Sequence, residues 1–180
     1  VTRTPDVLND DVAGVALALA LNIARRSPQA DRFVRDGKWP QGPMPLATKM
    51  SGARMGIVGM GRIGQAIAKR ALAFGMSIAY TARSAKPELP FAFHATPREL
   101  AAASDFLVLI APGGAATRKM IDASVLQALG PKGYLVNVAR GRLIVERALL
   151  RALREGTIGG AVLDAFREEP LQPDSAFYGL

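Results

Sequence analysis

Gly59, Gly61 and Gly64 form a Gly-x-Gly-x-x-Gly run, completed by Met60, Arg62 and Ile63, between the apolar stretch Met55 to Val58 and an alanine-rich segment. Glycine triplets also arise by chance, and the pattern carries chemistry only where a strand turns into a helix, the context read here. In that setting the first glycine permits the tight turn. The second lets backbone N–H groups approach a pyrophosphate, and the third lets helix and strand pack closely. The N-terminus of the following helix turns partial positive charge toward the phosphates. The spacing therefore predicts a dinucleotide site over Gly59–Gly64, including Arg62 and Ile63.

A second position bears on which dinucleotide. A site selective for NAD carries an acidic residue at the end of the second strand, about 20 residues on, where it binds the ribose 2′-hydroxyl. Here the stretch runs Ile78-Ala-Tyr-Thr-Ala-Arg-Ser-Ala-Lys86, and no Asp or Glu occurs before Glu88. A carboxylate would repel a 2′-phosphate, whereas Arg83 and Ser84, with Lys86 close behind, can hold one through charge-assisted hydrogen bonds. The same three residues also read as a solvated loop. The sequence favours NADP over NAD.

The elements that must position these residues alternate along the chain. Strands are expected over Met55–Gly59, Ser77–Thr81, Asp105–Ile110, Tyr134–Val138 and Gly159–Leu163, with a weak edge strand near Phe91–Phe93. Helices are expected over Gln65–Phe74, Pro97–Ala103, Ser124–Leu129 and Glu146–Glu155. Strands that read apolar throughout, separated by helices, indicate a parallel sheet covered on both faces, a Rossmann-type doubly wound α/β fold. Ahead of this core, Asn9 to Arg26 shows a long apolar helical pattern with Asn9 or Asp10 as its expected N-cap. Ser27 to Ala53 reads as a polar, Gly/Pro-rich link that carries the single tryptophan, Trp39. A link of that length is expected to lie across a surface or a partner subunit.

Composition removes several classes of function. The chain has 180 residues and no cysteine, which rules out a disulfide framework or a thiolate metal site, and no metal site is read from it. Val12 to Ile23, the longest apolar stretch, is interrupted by Gly14 and Asn22, so no membrane span is expected. Nothing resembles a signal peptide, which makes a cytoplasmic location the expectation. The net charge of +8 raises the question of nucleic acid. The basic residues are scattered and aromatics for base stacking are few, so a solvated surface serving an anionic cofactor is the better reading. The chain begins with Val1 and ends after a Pro-rich loop, and it is expected to be a fragment of a longer protein.

Three motifs in order carry a family resemblance: Gly56-Ile-Val-Gly-Met-Gly-Arg-Ile-Gly64, Val136-Asn-Val-Ala-Arg-Gly141 and Leu163-Asp-Ala-Phe-Arg-Glu-Glu-Pro170. Together with the opening Thr4-Pro-Asp-Val they resemble the cofactor domain of the D-isomer-specific 2-hydroxyacid dehydrogenases, over essentially the whole chain. Tyr80-Thr-Ala-Arg-Ser84 is similar to the NADP-preferring glyoxylate and hydroxypyruvate reductases of that family. The resemblance implies that residues 54–180 form the cofactor-binding core and that 1–53 supply a dimerisation helix and link. A split substrate domain would lie beyond both ends, and the protein would be a homodimer acting on small 2-keto acids. It further implies that Arg140 binds the substrate's carboxylate and keto oxygen. Glu169 would pair with a histidine that acts as general acid, keeping its imidazole protonated. Asp164 would lie near the nicotinamide, and Pro112, Thr117, Val138 and Ala139 would line the cofactor.

Each of these residues also has a plainer reading. Arg140 could serve the last turn of a neighbouring helix, and Glu169 could be an exposed charge before a proline turn. The family's histidine follows the Glu-Pro motif, and this chain holds only His94, expected at an edge strand and outside the chemistry. Arg142, Val145 and Arg167 depart from the residues common in relatives, Val145 at a place where an Asp would start the next helix. A second class of function stays open at this point, a dinucleotide-sensing dimeric co-repressor built on the same fold. A third is another Rossmann enzyme with a different substrate domain. Residues of this chain alone are expected to bind cofactor but to turn over little substrate, for want of the histidine.

Overall fold

The apolar runs pair side by side. In the computed structural model, which describes residues 7–180, six strands form one parallel sheet. They are β1 (Arg54–Val58), β2 (Ser77–Thr81), β3 (Ala92–Phe93), β4 (Phe106–Leu109), β5 (Tyr134–Asn137) and β6 (Gly160–Leu163). Their order is β3-β2-β1-β4-β5-β6, all neighbours parallel. This is the doubly wound arrangement, in which the strand order reverses between β1 and β4 and opens a crevice at their carboxyl ends.

The described residues form six α-helices: α1 (Asn9–Arg25), α2 (Ser27–Arg35), α3 (Arg62–Ala73), α4 (Pro97–Ala102), α5 (Ala123–Leu129) and α6 (Glu146–Arg154). Residues of the central strands alternate between two cores, as a period of two requires. Phe106, Val108 and Val136 join Met55 and Ile57 under α1 and α3. Leu107, Leu109 and Leu135 join the residues of α4, α5 and α6. Burial on both faces explains why β4 and β5 read as unbroken apolar runs. At the amino ends of the strands Arg54 clamps Asp105, with Nη2 to Oδ1 at 2.8 Å and the backbone N–H to Oδ2 at 2.8 Å.

α1 buries Ala13, Ala16, Leu17, Ala20 and Ala24, a stripe at helical spacing that lies on α3, β5 and β6. Its N-cap is Leu8, ahead of both Asn9 and Asp10 where the cap is expected, because the Val12 N–H already reaches the Leu8 carbonyl at 3.1 Å. Leu8 makes no side-chain cap, and Asp10 and Asp11 in the first turn complement the helix dipole instead. The expected link is partly helical. Arg26 turns left-handed (φ 53°) and closes α1, and Pro28 in the first turn then starts α2. α2 buries none of its residues fully and is supported by an Asp31–Arg35 pair one turn apart, so no apolar stripe marked it. Trp39 follows in a 3-10 turn and is 67% exposed. The remaining link is anchored by Thr48, whose N–H reaches Ala24 and whose hydroxyl bonds the Tyr134 hydroxyl at 2.9 Å.

The edge strand expected near Phe91–Phe93 is β3. The Thr4-Pro-Asp stretch lies outside the described residues. No helix among the described residues is long and apolar enough to cross a membrane.

Candidate functional site: a glycine turn and two loops at the sheet switch point

The three glycines do three different jobs. Gly59 leaves β1 at φ 108°, and a Cβ there would lie 2.8 Å from the Ala111 nitrogen, two residues past β4. A Cβ on Gly64 would collide with the Gly59 carbonyl oxygen, so this glycine lets α3 start against the strand. A Cβ on Gly61 would meet nothing within 4 Å, so the space above it is open. Gly61 is the N-cap of α3, which begins at Arg62 rather than at the expected Gln65. Arg62, Ile63 and Gly64 therefore form the first turn, whose amides have no acceptor within the helix. An open cradle at a helix N-terminus fits a pyrophosphate.

The loop after β2 lies next to this turn, because the Gly59 N–H donates to the Thr81 carbonyl at 2.9 Å. Arg83 and Ser84 are exposed there, and among the described residues their side chains have no hydrogen-bond or ion-pair partner. The Lys86 ammonium faces Glu88 at 3.7 Å, and its backbone N–H donates to the Tyr80 hydroxyl at 2.7 Å.

On the other side of the switch point, the ends of β5 and β6 are locked together. Asn137, fully buried, closes β5. Its amide Nδ2 donates to the carbonyls of Arg140 (3.2 Å) and Ala165 (3.4 Å), and its Oδ1 accepts from the Ala139 N–H at 3.1 Å. The Asp164 N–H in turn donates to the Asn137 carbonyl at 2.9 Å. Gly141 abuts the Phe166–Arg167 peptide so closely that a Cβ would collide with it. The Phe166 N–H then donates to Glu169 Oε1 at 2.9 Å.

Arg140 and Glu169 consequently share one open concavity with Gly113, Gly114, Arg142 and Phe166. No ion pair joins them, so neither charge is neutralised by the other. Nη1 of Arg140 donates to its neighbour's Ala139 carbonyl at 2.7 Å, which leaves Nη2 and Nε without partners among the described residues. The stem of Arg140 runs past Gly113, where a Cβ would lie 3.3 Å from its Cγ. A fixed guanidinium with a free edge can bind a carboxylate or a carbonyl oxygen.

The residues expected to line the cofactor fall on the loops at the carboxyl ends of β4, β5 and β6. The Thr117 hydroxyl donates to the Pro112 carbonyl at 2.7 Å and folds that loop back on itself. Val138 and Ala139 are each only 6% exposed and pack into opposite cores, so only their backbone can face a ligand. Asp164 is exposed at the end of β6. His94 follows β3 at the far edge of the sheet, four strand spacings or roughly 19 Å from β5.

Two residues that hold the site were not singled out from sequence, Asn137 and Tyr80. A polar residue inside the apolar run Leu135-Val-Asn-Val was the available signal for the first. A smaller hollow of ≈ 330 Å³, lined by Lys49, Ser51 and Lys132, lies at the amino ends of the strands, away from the switch point.

Comparison with known proteins agrees with this geometry. The chain is 49% identical over 177 residues to a glyoxylate/hydroxypyruvate reductase of Arabidopsis thaliana, covering 98% of this chain and 56% of the relative. It is 48% identical over 177 residues to a hydroxyphenylpyruvate reductase of Plectranthus scutellarioides, with coverage of 98% and 56%. A crystal structure of an NADPH-dependent glyoxylate/hydroxypyruvate reductase from Sinorhizobium meliloti, in complex with NADP and malonate, superposes with a TM-score of 0.93 at 48% identity. That match covers 99% of this chain and 56% of the other. The chain thus spans just over half the length of the proteins it matches. Residues 17–180 match the family described as "D-isomer specific 2-hydroxyacid dehydrogenase, NAD binding domain". With its doubly wound sheet, its open glycine cradle and this match, the chain belongs to the D-isomer specific 2-hydroxyacid dehydrogenases, as a nicotinamide-dinucleotide-binding domain.

Proposed function

We propose that this chain is the cofactor domain of an NADPH-dependent reductase of small 2-keto acids such as glyoxylate or hydroxypyruvate, giving D-2-hydroxy acids. The observation that carries the reading is the delivery of Arg140 and Glu169, by locked loops, onto one concavity at the carboxyl ends of β5 and β6. The relatives named above are reductases of 2-keto acids, which supports the same reaction class.

In this reading the first turn of α3 holds the pyrophosphate and Arg83 with Ser84 holds the 2′-phosphate. The loops at Pro112, Thr117, Val138, Ala139 and Asp164 face the nicotinamide half. The bound dinucleotide supplies the hydride. The free edge of Arg140 orients the substrate's carboxylate and keto oxygen, so that the keto carbon is presented in one pose. Glu169, oriented by the Phe166 N–H, raises the proton affinity of an imidazole acid that protonates the keto oxygen. His94, at the opposite edge, does not fill that role. These residues by themselves bind cofactor without appreciable turnover. Residues 54–180 form the cofactor core, and α1 with the exposed Trp39 turn forms a homodimer contact. No observation favours the dinucleotide-sensing co-repressor reading.

Binding of NADPH and NADH to this chain, followed by fluorescence of the reduced nicotinamide, tests the cofactor. Tighter NADPH binding, lost in Arg83→Ala, is expected. Equal affinities unmoved by that substitution would remove the choice of NADP. In the protein that contains this chain, Arg140→Ala is expected to abolish NADPH oxidation with glyoxylate and hydroxypyruvate. Retention of full activity by that variant would overturn the proposed role.

A further inference from the structure

The loop that presents Arg83 and Ser84 has little holding it from within. Among the described residues no backbone–backbone hydrogen bond is donated by Ala82, Arg83, Ser84, Ala85 or Lys86. The Lys86 N–H goes instead to a side chain, donating to the Tyr80 hydroxyl at 2.7 Å. The same hydroxyl lies 3.4 Å from the Lys86 carbonyl, to which it donates. One phenol therefore grips both polar atoms of one peptide position at the far end of the loop.

Tyr80 is itself held by its surroundings. It sits in β2, is 1% exposed, and packs with the core under α1 and α3. Its ring lies 5.5 Å from that of Phe93, and its own carbonyl accepts from the His94 N–H at 2.9 Å. The near end of the loop is equally fixed, since the Thr81 carbonyl accepts from Gly59 in the glycine turn. The segment from Ala82 to Ala85 is thus a short arch between two anchors, with Arg83 and Ser84 at its crown.

From this we infer that Tyr80 is a positioning residue for cofactor choice: its hydroxyl fixes the arch that carries Arg83 and Ser84, and so sets the preference for a 2′-phosphorylated dinucleotide. The inference rests on the reading of Arg83 and Ser84 as the 2′-phosphate ligands. A charged group held in place binds better than the same group on a loose loop, because ordering it on binding is avoided. Tyr80→Phe removes the hydroxyl and leaves the ring, its packing and the strand.

The experiment measures Kd for NADPH and for NADH with the parent chain, Tyr80→Phe and Arg83→Ala, alongside the thermal midpoint of each. For Tyr80→Phe the NADPH Kd is expected to rise about fivefold, as for loss of one net hydrogen bond, while the NADH Kd stays unchanged. Arg83→Ala is expected to raise the ratio of the NADPH Kd to the NADH Kd further. If Arg83→Ala shifts the ratio and Tyr80→Phe does not, the inference fails and the cofactor reading stands. Equal weakening of both cofactors by Tyr80→Phe would show a merely structural role and also overturn it. An unchanged ratio in Arg83→Ala would overturn the cofactor reading and the inference with it.

Discussion

Gly141 lies against the peptide that joins Phe166 to Arg167 so tightly that no side chain fits between them. This contact is where the loop after β5 meets the loop after β6. It stands immediately beside Arg140 on one loop, and beside the Phe166 N–H that orients Glu169 on the other. Two charged residues 29 positions apart in sequence are thus placed by one backbone-to-backbone approach and one buried amide, Asn137.

Gly141→Ala is expected to force the loops apart, since backbone on both sides leaves no flexible side chain to yield. Overpacking of this kind typically costs about 1–3 kcal/mol, or roughly 2–12 °C in Tm for a domain of this size. Cofactor binding at the glycine turn is expected to survive, because that turn belongs to β1 and α3. Thermal unfolding with a parallel NADPH titration checks both parts. An unchanged Tm would show slack that the contact excludes.

Asn137→Asp tests the amide lock through pH. The new carboxylate would keep the Ala139 N–H but would face the carbonyls of Arg140 and Ala165, in a fully buried place. Burial and those carbonyls would raise its folded pKa above the ordinary aspartate value of about 4. A folded pKa above the unfolded one means stability is kept at low pH and lost as pH rises through the folded value. Relative to the parent, the variant is expected to lose on the order of 3 kcal/mol at pH 8 and much less at pH 5. A deficit independent of pH would overturn this account.

Much of this arrangement was legible in the sequence, and the gaps have physical causes. The strands read correctly because burial on both faces left unbroken apolar runs, as in Phe106-Leu-Val-Leu. The strand-to-helix turn reads correctly because Gly59 and Gly64 stand where backbone leaves no room for a Cβ. α2 leaves no periodic mark in the sequence because it is exposed and held by local signals, Pro28 and the Asp31–Arg35 pair, with no apolar stripe. α3 starts three residues before the expected Gln65 because the glycines that open it also read as loop. Asn137 and Tyr80 act through three-dimensional neighbours, Ala165 and Lys86, that no periodicity reports.

Asp122 caps α5, and its acid is held below the usual carboxylate range by the Ser124 hydroxyl first and then by the Val125 N–H. A depressed folded pKa gives stability that is present above the unfolded value near 4 and lost as pH falls through the folded value. Asp122→Ala is expected to cost about 1 kcal/mol at pH 7. That difference from the parent should shrink in denaturant unfolding at pH 3. Asp122→Asn keeps an acceptor for the cap and should restore most of the stability. Asp105, lowered by its hydrogen bond with Arg54, loses stability in the same direction, so only differences from the parent isolate the cap.

Val145 begins α6 without any side-chain cap, its own N–H being held by the Ile121 carbonyl at 2.9 Å. Of its first-turn amides, the Ala148 N–H already donates to the Val145 carbonyl at 2.8 Å, while those of Glu146 and Arg147 have no protein acceptor among the described residues. The side chain is half-buried, so an aspartate can reach the free N2 amide of Arg147 while giving up some apolar contact. Nearby Arg142 and Arg147 favour a negative charge, as does the helix dipole. Val145→Asp is expected to stabilise by about 0.5–1 kcal/mol, a rise of roughly 1–4 °C in Tm. The gain should persist in Val145→Asn, which caps without charge, but be smaller. A fall in Tm for both would mean that packing of the valine outweighs the missing cap.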